Sequence, residues 1–353
     1  MPLVEGSITK WRLLDSMRRF SAPRQAACRR RRISPTVQVH RRGDGSRRVV
    51  GVLSCGSVWA CPVCAQRICS HRASELQGAI ATWQAAGKPV GMLTFTSRHQ
   101  GFHDLKKMRK GNSAAWRTLL QGRKNYVFRA LFHVKHLVRS VEVTHGVNGW
   151  HPHQHVLVFG DAPPEPGALE WLKERWCEAV TTALGAEHAP DLAHGVDYCN
   201  APGAAYLQKM GLEIAHSYSK KARVSSSRTP WEIAADAAAG DLESEALWRS
   251  YCRAMKGCRQ LTWSRGARRF FGLGLRDSDA DAEAACEAAD VLEADAVAGS
   301  LLAEWDGPSW DACARSDPFW VSKVVSVEVW ELEGLGCWLR APRSFFDGIP
   351  PPE

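Results

Sequence analysis

The sequence predicts an α+β fold in which a central antiparallel sheet is flanked by helices. Residues 90–97 are β-rich and alternate between apolar and polar side chains, which is typical of a strand. Two more β-rich segments, 137–144 and 150–159, are separated by a turn that contains Asn148-Gly149, the strongest short signal for a hairpin. Helical periodicity follows the first strand, over residues 113–135, and follows the last strand of the hairpin, over residues 169–184. We also expect a cysteine-rich knuckle before the sheet and a small α+β appendage after it, in which residues 321–331 form a strand.

The composition indicates the cellular compartment in which the protein is expected. A hydrophobic content of 45% is enough for a core, and no apolar run approaches the roughly 18 residues that cross a membrane. Arg12, Arg18 and Arg19 interrupt any signal-peptide core near the N-terminus. We therefore expect a cytoplasmic protein with no membrane partner. In that compartment the 12 cysteines are better explained as metal ligands or buried thiols than as disulfides.

Charge is distributed unevenly along the chain. Up to Arg276 there are 42 Lys and Arg against 20 Asp and Glu, and after it 4 against 17, which gives net charges of +22 and −13. A strongly basic body is typical of a nucleic-acid binder. The alternative is an ordinary solvated basic face.

These features predict five segments. They are a basic, partly disordered arm (1–48), a zinc knuckle with its following helix (49–88), the sheet domain (89–225), a helical basic DNA-binding extension (226–275) and an acidic C-terminal region (276–353).

The knuckle is predicted from three cysteines, Cys55, Cys61 and Cys64. A Cys-Pro-x-Cys turn presents two thiolates to one tetrahedral ion, as in structural Zn²⁺ sites. Cys55 supplies a third ligand. The fourth could be Cys28, Cys69 or His71, and we prefer Cys28 because Cys69 is expected on a helix that leads away. Buried thiols without metal are the alternative.

The strand at 150–159 carries three histidines, His151, His153 and His155. Alternate residues of a strand share a face, so the three imidazoles are suited to one divalent metal ion. With Asn148 and Gly149 at the tip of a type I′ turn, the hairpin pairs Glu142 with His155. That register adds a carboxylate to the same face and leaves coordination positions for water or phosphate oxygens.

A helix after Pro202-Gly203 carries Tyr206, Lys209 and Glu213 on one face, at offsets of three and seven residues. A tyrosine on such a helix is by default a core aromatic. An ammonium group one turn away favours the phenolate and can hold a phosphate, so Lys209 makes Tyr206 a candidate nucleophile.

Basic residues follow this helix, and some are interleaved with Trp263, Phe270 and Phe271. Cations among aromatic rings suit single-stranded DNA, although the rings could equally belong to the core. The residues that we select for DNA binding are Lys220, Lys221, Arg223, Arg228, Arg259 and Arg265.

Taken together, the motifs resemble those of rolling-circle replication initiators of bacterial plasmids, within the HUH endonuclease superfamily. The matching motifs are Leu93-Thr94-Phe95-Thr96, Glu142-Val143-Thr144, His151-Pro152-His153-Gln154-His155 and Tyr206-Leu207-Gln208-Lys209, with the cysteine knuckle before them. The similarity covers roughly residues 28–275. It implies the ferredoxin-like HUH fold for residues 89–225, a catalytic Mg²⁺ or Mn²⁺ ion, and a tyrosine that cuts one DNA strand.

The resemblance also implies individual roles. His153 and His155 match the metal ligands, with Glu142 as a third and His151 as a less central member, and Tyr206 matches the nucleophile, with Lys209 beside it.

Two positions depart from the family. Gln154 replaces a bulky hydrophobe on the opposite face, and Met210 replaces the second tyrosine of two-tyrosine initiators. A single-tyrosine enzyme is therefore expected, and Glu213 is a candidate base for the second cleavage.

The function expected is nicking and rejoining of one strand at an origin, through a 5′-phosphotyrosine, to start rolling-circle replication. The expected partners are origin DNA, single-stranded or in a hairpin, and the host replication helicase and polymerase. Alternatives are an HUH transposase or relaxase, a hydrolase with a zinc-bound water, and a zinc-dependent DNA-binding regulator without catalysis.

Overall fold

The computed structural model describes residues 3–41, 47–200, 227–274, 278, 281–286 and 301–326. The chain divides into two compact units, residues 1–65 with 283–353 and residues 66–282. Each contains an antiparallel sheet and helices, so the predicted α+β class is confirmed. Within the described ranges, no helix has both the length and the apolar composition to cross a membrane.

The elements are numbered along the chain. The helices are α1 (Leu3–Met17), α2 (Pro23–Ala26), α3 (Pro62–Ala85), α4 (Leu105–Leu119), α5 (Gly122–Leu131), α6 (Ala168–Leu184), α7 (Pro230–Ala239), α8 (Leu242–Met255), α9 (Ala267–Phe270), α10 (Gly307–Ser316) and α11 (Trp320–Ser326). The strands are β1 (Thr36–Arg41), β2 (Arg47–Val50), β3 (Val90–Phe95), β4 (Val134–Gly146), β5 (Gly149–Gly160), β6 (Val196–Asn200), β7 (Leu261–Trp263) and β8 (Leu301–Asp306).

The unit of residues 66–282 is built on a five-stranded sheet with the order β6-β3-β5-β4-β7. All neighbouring strands are antiparallel. The strands predicted at residues 90–97, 137–144 and 150–159 are β3, β4 and β5, and the hairpin strands are longer than expected. The hairpin lies at the centre, so its residues are supported on both sides.

Helices pack on both faces of this sheet. The residues that face α4, α5 and α6 include Leu93, Phe95, Val156 and Val158. The next residues along the same strands point the other way, toward α3, and include Val90, Met92, Leu157 and Phe159. Because side chains alternate along a strand, Thr94, His153 and His155 lie on the α3 face.

Local sequence signals set several helix ends. Gly185 ends α6 with a φ of +109°, a conformation that favours glycine. Thr229 begins α7 in a capping box: its hydroxyl accepts a hydrogen bond from the Glu232 N–H, and the Glu232 carboxylate accepts one from the Thr229 N–H. Pro230 occupies the first turn, where its missing N–H costs nothing.

The other unit contains a three-stranded sheet with the order β2-β1-β8. The residues of the predicted arm contain α1, α2 and β1, and β1 pairs with strands on both sides. Trp305, Trp310 and Trp320 form an aromatic cluster in this unit. Strands from both ends of the chain therefore share one sheet.

One predicted strand is wrong. We expected Val321–Glu331 to be extended, but residues up to Ser326 continue the helix α11. Val321 and Val324 are buried on one side of it, and the Ser322 N–H donates to the Asp15 carboxylate. Tertiary packing thus outweighs the strand preference of the valines.

Candidate metal centres and their supports

The β4–β5 hairpin has a different register from the predicted one. Glu142 pairs with His153, not with His155, and the tip is Val147-Asn148. A type I′ turn over Asn148-Gly149 requires a positive φ at both, but only Gly149 has one, at +79°. A side chain on Gly149 would also lie 2.8 Å from Gly101 Cα. When the tip of the hairpin moves by one residue, each residue of β4 pairs two positions away from its predicted partner on β5. Glu142 therefore stays on the same face as the histidines.

Three side chains converge on that face. Glu142 Oε2 lies 3.0 Å from His153 Nε2 and 3.0 Å from His155 Nε2. Their ligand atoms lie within 4.8 Å of one another, and all three residues are partly exposed. Two imidazole nitrogens and a carboxylate could hold a divalent metal ion, with remaining positions open to oxygen ligands. The structure thus brings together three of the predicted metal-site residues.

The far side of each imidazole is also held. His155 Nδ1 lies 3.1 Å from Thr94 Oγ1, and His153 Nδ1 lies 3.3 Å from the His151 carbonyl oxygen. An Nδ1–H that donates to an oxygen leaves Nε2 unprotonated and available to a metal. Thr94 lies directly opposite His155 in the β3–β5 register. In the sequence Thr94 belongs to one of the matching motifs, but local sequence does not predict its contact with His155.

His151 lies outside this group. Its ring stacks on His99, with centroids 4.3 Å apart and planes 12° apart. Burial, together with the charges of His153 and His99, lowers the pKa of His151 to about 3. The ring is therefore neutral over the physiological pH range and faces His99.

The opposite face of β5 carries a buried polar network. The Asn112 amide on α4 donates to the Pro152 carbonyl, and the Gln154 amide donates to the Asn112 carbonyl. Arg139 Nη1 donates to Gln154 Oε1 at 2.9 Å. Asn112 and Gln154 are buried, beside an otherwise apolar core. The network fixes the residues on either side of His153. The unusual Gln154 was its only sequence signal.

The four cysteines selected from the sequence lie together. Cys28, Cys55, Cys61 and Cys64 are all buried, with Sγ atoms 3.6–3.7 Å apart for three of the pairs. This separation is too long for a disulfide. Zn–S bonds of 2.3 Å in a tetrahedron would place sulfurs about 3.8 Å apart, so the group could hold Zn²⁺. Cys69, an alternative fourth ligand, instead contacts Gln260.

A charged pair lies beside the cysteines. Arg29 Nη2 donates to Glu283 Oε1 at 2.6 Å, and both side chains are buried. Ser54 Oγ lies 2.6 Å from the same oxygen and 3.4 Å from Cys64 Sγ. The thiols of the other three cysteines, and to a smaller degree Arg29, hold the pKa of Cys64 well below its usual value. At Cys64 the surroundings thus favour the thiolate that a metal binds, whereas the hydrogen bond with Cys28 raises the pKa of Cys55 and burial raises the pKa of Cys61.

Several predicted residues lie outside the described ranges. β6 ends at Asn200, and the predicted nucleophile helix and basic loop follow it. These residues are Tyr206, Lys209, Glu213, Lys220, Lys221 and Arg223.

Of the other residues selected for DNA binding, Arg259 and Arg265 are exposed. Arg228 instead joins the elements that follow it, since Nη1 lies 3.1 Å from Asp236 Oδ2 and donates to Ser244 Oγ. Trp263 is buried in the core under α3, so it does not present its face to DNA.

Comparisons with known proteins place the chain among replication proteins. The replication protein family matches residues 47–309. "Protein rep" of Streptomyces lividans is 28% identical over 359 residues, which cover 79% of this chain and 76% of that protein. The "Neomycin resistance protein" of Streptomyces cyanogenus is 28% identical over 177 residues, covering 38% and 40% of the two chains. No solved structure matches. Because the family match covers most of the sequence, the chain belongs to the replication protein family.

Proposed function

We propose that the protein is a plasmid replication initiator that nicks one strand of origin DNA and later rejoins it. The observation that carries this is the Glu142–His153–His155 group on the central hairpin of a chain in the replication protein family. The net charge of +22 up to Arg276 supports DNA as the substrate.

In this mechanism the side chains of Glu142, His153 and His155 would hold Mg²⁺ or Mn²⁺. A bound ion would neutralise negative charge that develops on the phosphate oxygens. Thr94 holds the His155 ring in place, and the network under β5 holds the strand.

Tyr206 is the proposed nucleophile. Its phenolic oxygen loses a proton and forms a bond to phosphorus, while the bond from phosphorus to the 3′ oxygen breaks. The 3′ oxygen takes up a proton and becomes a hydroxyl that can prime the host polymerase as a helicase unwinds the duplex. Lys209 favours the phenolate. Rejoining reverses the transfer without a nucleotide cofactor, and Glu213 is the proposed base for the second cleavage.

The test is incubation with a single-stranded origin oligonucleotide and Mn²⁺, followed by a denaturing gel. We expect a covalent protein–DNA adduct that is lost in Tyr206→Phe and retained in Tyr126→Phe, a matched control on α5. His153→Ala with His155→Ala should lose cleavage and keep DNA binding. An adduct that persists in Tyr206→Phe contradicts the nucleophile assignment.

The same experiment separates the alternatives. A hydrolase with a zinc-bound water would cleave without an adduct, and a DNA-binding regulator would shift the oligonucleotide without cleaving it. A transposase or relaxase would form the adduct on ends or transfer origins, not on a replication origin.

A further inference from the structure

A loop beside the metal-binding face presents an aromatic ring to solvent. The β3–α4 loop, residues 96–104, leaves the sheet at the end where the histidines of β5 lie. His99 of this loop stacks on His151, and the His151 and His153 rings are 5.1 Å apart. Phe102 is three residues after His99, so at most about 11 Å of chain separates them. The loop thus borders the proposed cleavage site.

The loop is held by hydrogen bonds along its length. The Thr96 N–H donates to the Gly195 carbonyl, and the Arg98 N–H donates to the His188 carbonyl. The N–H of His103 donates to the Gln100 carbonyl, while the Gln100 N–H donates to His103 Nδ1. Asp104 then caps α4 by accepting from the Lys107 N–H. These bonds fix the path of the loop on both sides of Phe102.

Despite this fixed backbone, Phe102 is 81% exposed. Its described ring contact is edge-on with His103, at 4.6 Å between centroids, so a face remains available. A large apolar ring in water contributes nothing to the core. Exposed cations lie on both sides of it in the sequence, Arg98 in the loop and Lys106, Lys107 and Lys110 on α4.

We propose that Phe102 is a base-stacking contact for single-stranded DNA, and that the cations around it contact the phosphates. An aromatic face among cations is the combination that binds single strands with little sequence preference. The inference deepens the proposed function, on which it rests for the choice of a single strand over other polyanions. It assigns to the β3–α4 loop a contact with the strand beside the metal-binding face.

The experiment measures binding without cleavage. The full chain is titrated into a fluorescein-labelled dT20 oligonucleotide with no added Mg²⁺ or Mn²⁺, and anisotropy is recorded. Phe102→Ala should weaken binding about 10-fold, the factor that corresponds to about 1.4 kcal/mol and falls within the range for one stacked base. Phe102→Trp should stay within about 2-fold of wild type, because it keeps the ring.

Tyr126→Ala is the matched control. Tyr126 is 75% exposed but lies on α5, which precedes the start of β4, whereas Glu142 lies near the other end of that strand. Its substitution should leave the affinity unchanged. A second readout uses 2-aminopurine in the oligonucleotide: stacking should quench its fluorescence with wild type and Phe102→Trp, and Phe102→Ala should remove the quenching.

Three outcomes overturn the inference: no binding of dT20 by wild type, equal affinity of Phe102→Ala and wild type, or an equal loss in Tyr126→Ala. Failure of the proposed nicking is a separate result, because the binding assay needs neither Tyr206 nor a metal. If Phe102→Ala weakens binding but no adduct forms on origin DNA, the stacking contact stands and the nicking proposal fails.

Discussion

The Thr94 hydroxyl on β3 lies 3.1 Å from Nδ1 of His155 on the neighbouring strand β5. The other ring nitrogen of His155, Nε2, is the atom that would bind a metal. Groups that hold the second nitrogen of a metal-binding histidine typically affect metal affinity by 10- to 100-fold. We expect Thr94→Val to weaken Mn²⁺ binding about 10-fold, measured by calorimetric titration, and Thr94→Ser to retain it. Thr82→Val, on the exposed side of α3, is the control. Equal affinity in Thr94→Val and wild type would show that Thr94 does not orient the ring.

His151 and His153 can be compared directly. Because the His151 ring stacks on His99 and stands outside the ligand group, His151→Asn should change Mn²⁺ affinity less than about 3-fold. His153→Asn should reduce it at least about 10-fold. The same titration measures both variants. A comparable loss in the two would restore His151 to the ligand set.

The network behind β5 predicts a non-additive pair of substitutions. Gln154→Leu leaves Arg139 and the Asn112 carbonyl without the bonds that they make to the glutamine amide. We expect the free energy of unfolding in urea to fall by about 1–3 kcal/mol. Adding Arg139→Met should recover part of this loss, since both partners are then apolar. Strictly additive losses would indicate that the hydrogen bond contributes nothing.

The cysteine group predicts a metal stoichiometry. Purified wild type should contain about one equivalent of zinc by elemental analysis, and Cys28→Ser should contain much less than one. Cys69→Ser is the matched control, because Cys69 is also buried but contacts Gln260. Loss of zinc in Cys69→Ser with retention in Cys28→Ser would reverse the assignment of the fourth ligand.

An ion pair in the unit of residues 66–282 predicts an acid-sensitive contribution to stability. Burial raises the pKa of Glu75, but hydrogen bonds from His71 and Arg268 outweigh it and lower the value to about 2. Arg268 meets the carboxylate with two bonds, at 2.9 and 2.6 Å. A depressed carboxyl pKa stabilises the folded state above the usual pKa of 4.5, and that stabilisation is lost as pH falls toward 2.

Glu75→Gln should therefore reduce the free energy of unfolding by about 1–2 kcal/mol at pH 7, and by progressively less below pH 4.5. Urea denaturation at several pH values measures this difference. Glu174→Gln, at an exposed pair with Arg175, should show almost no effect at any pH. A Glu75→Gln effect that does not depend on pH would point to packing and not to charge.

The hairpin shows what the sequence could and could not predict. The two-residue period of a strand placed the three histidines on one face, and Glu142 shares that face because the observed register differs from the predicted one by two residues, an even number. The register itself depended on the turn type, and contact of Gly149 with the β3–α4 loop cannot be read from local sequence. Asn112 was missed for the same reason: it lies 40 residues before Pro152, and only the packing of α4 on the sheet brings them together.

The pairing of β1 with β8 had no local signal either, since about 260 residues separate Val39 from Ala303. The cysteine group was easier to predict, because one tetrahedral ion needs four ligands and Cys69 lies further along the helix α3 than Cys64.

The ion pair between Arg29 and Glu283 has a consequence for synthesis. The unit of residues 66–282 is continuous in sequence, so a nascent chain can complete it before the other unit has its last strand. The surroundings of the four cysteines are completed only afterwards, because Glu283 and β8 leave the ribosome later than the five-stranded sheet. During that interval Arg29 exists without its buried carboxylate partner. A chain released before residue 283 would carry the complete five-stranded sheet and an unfinished cysteine site.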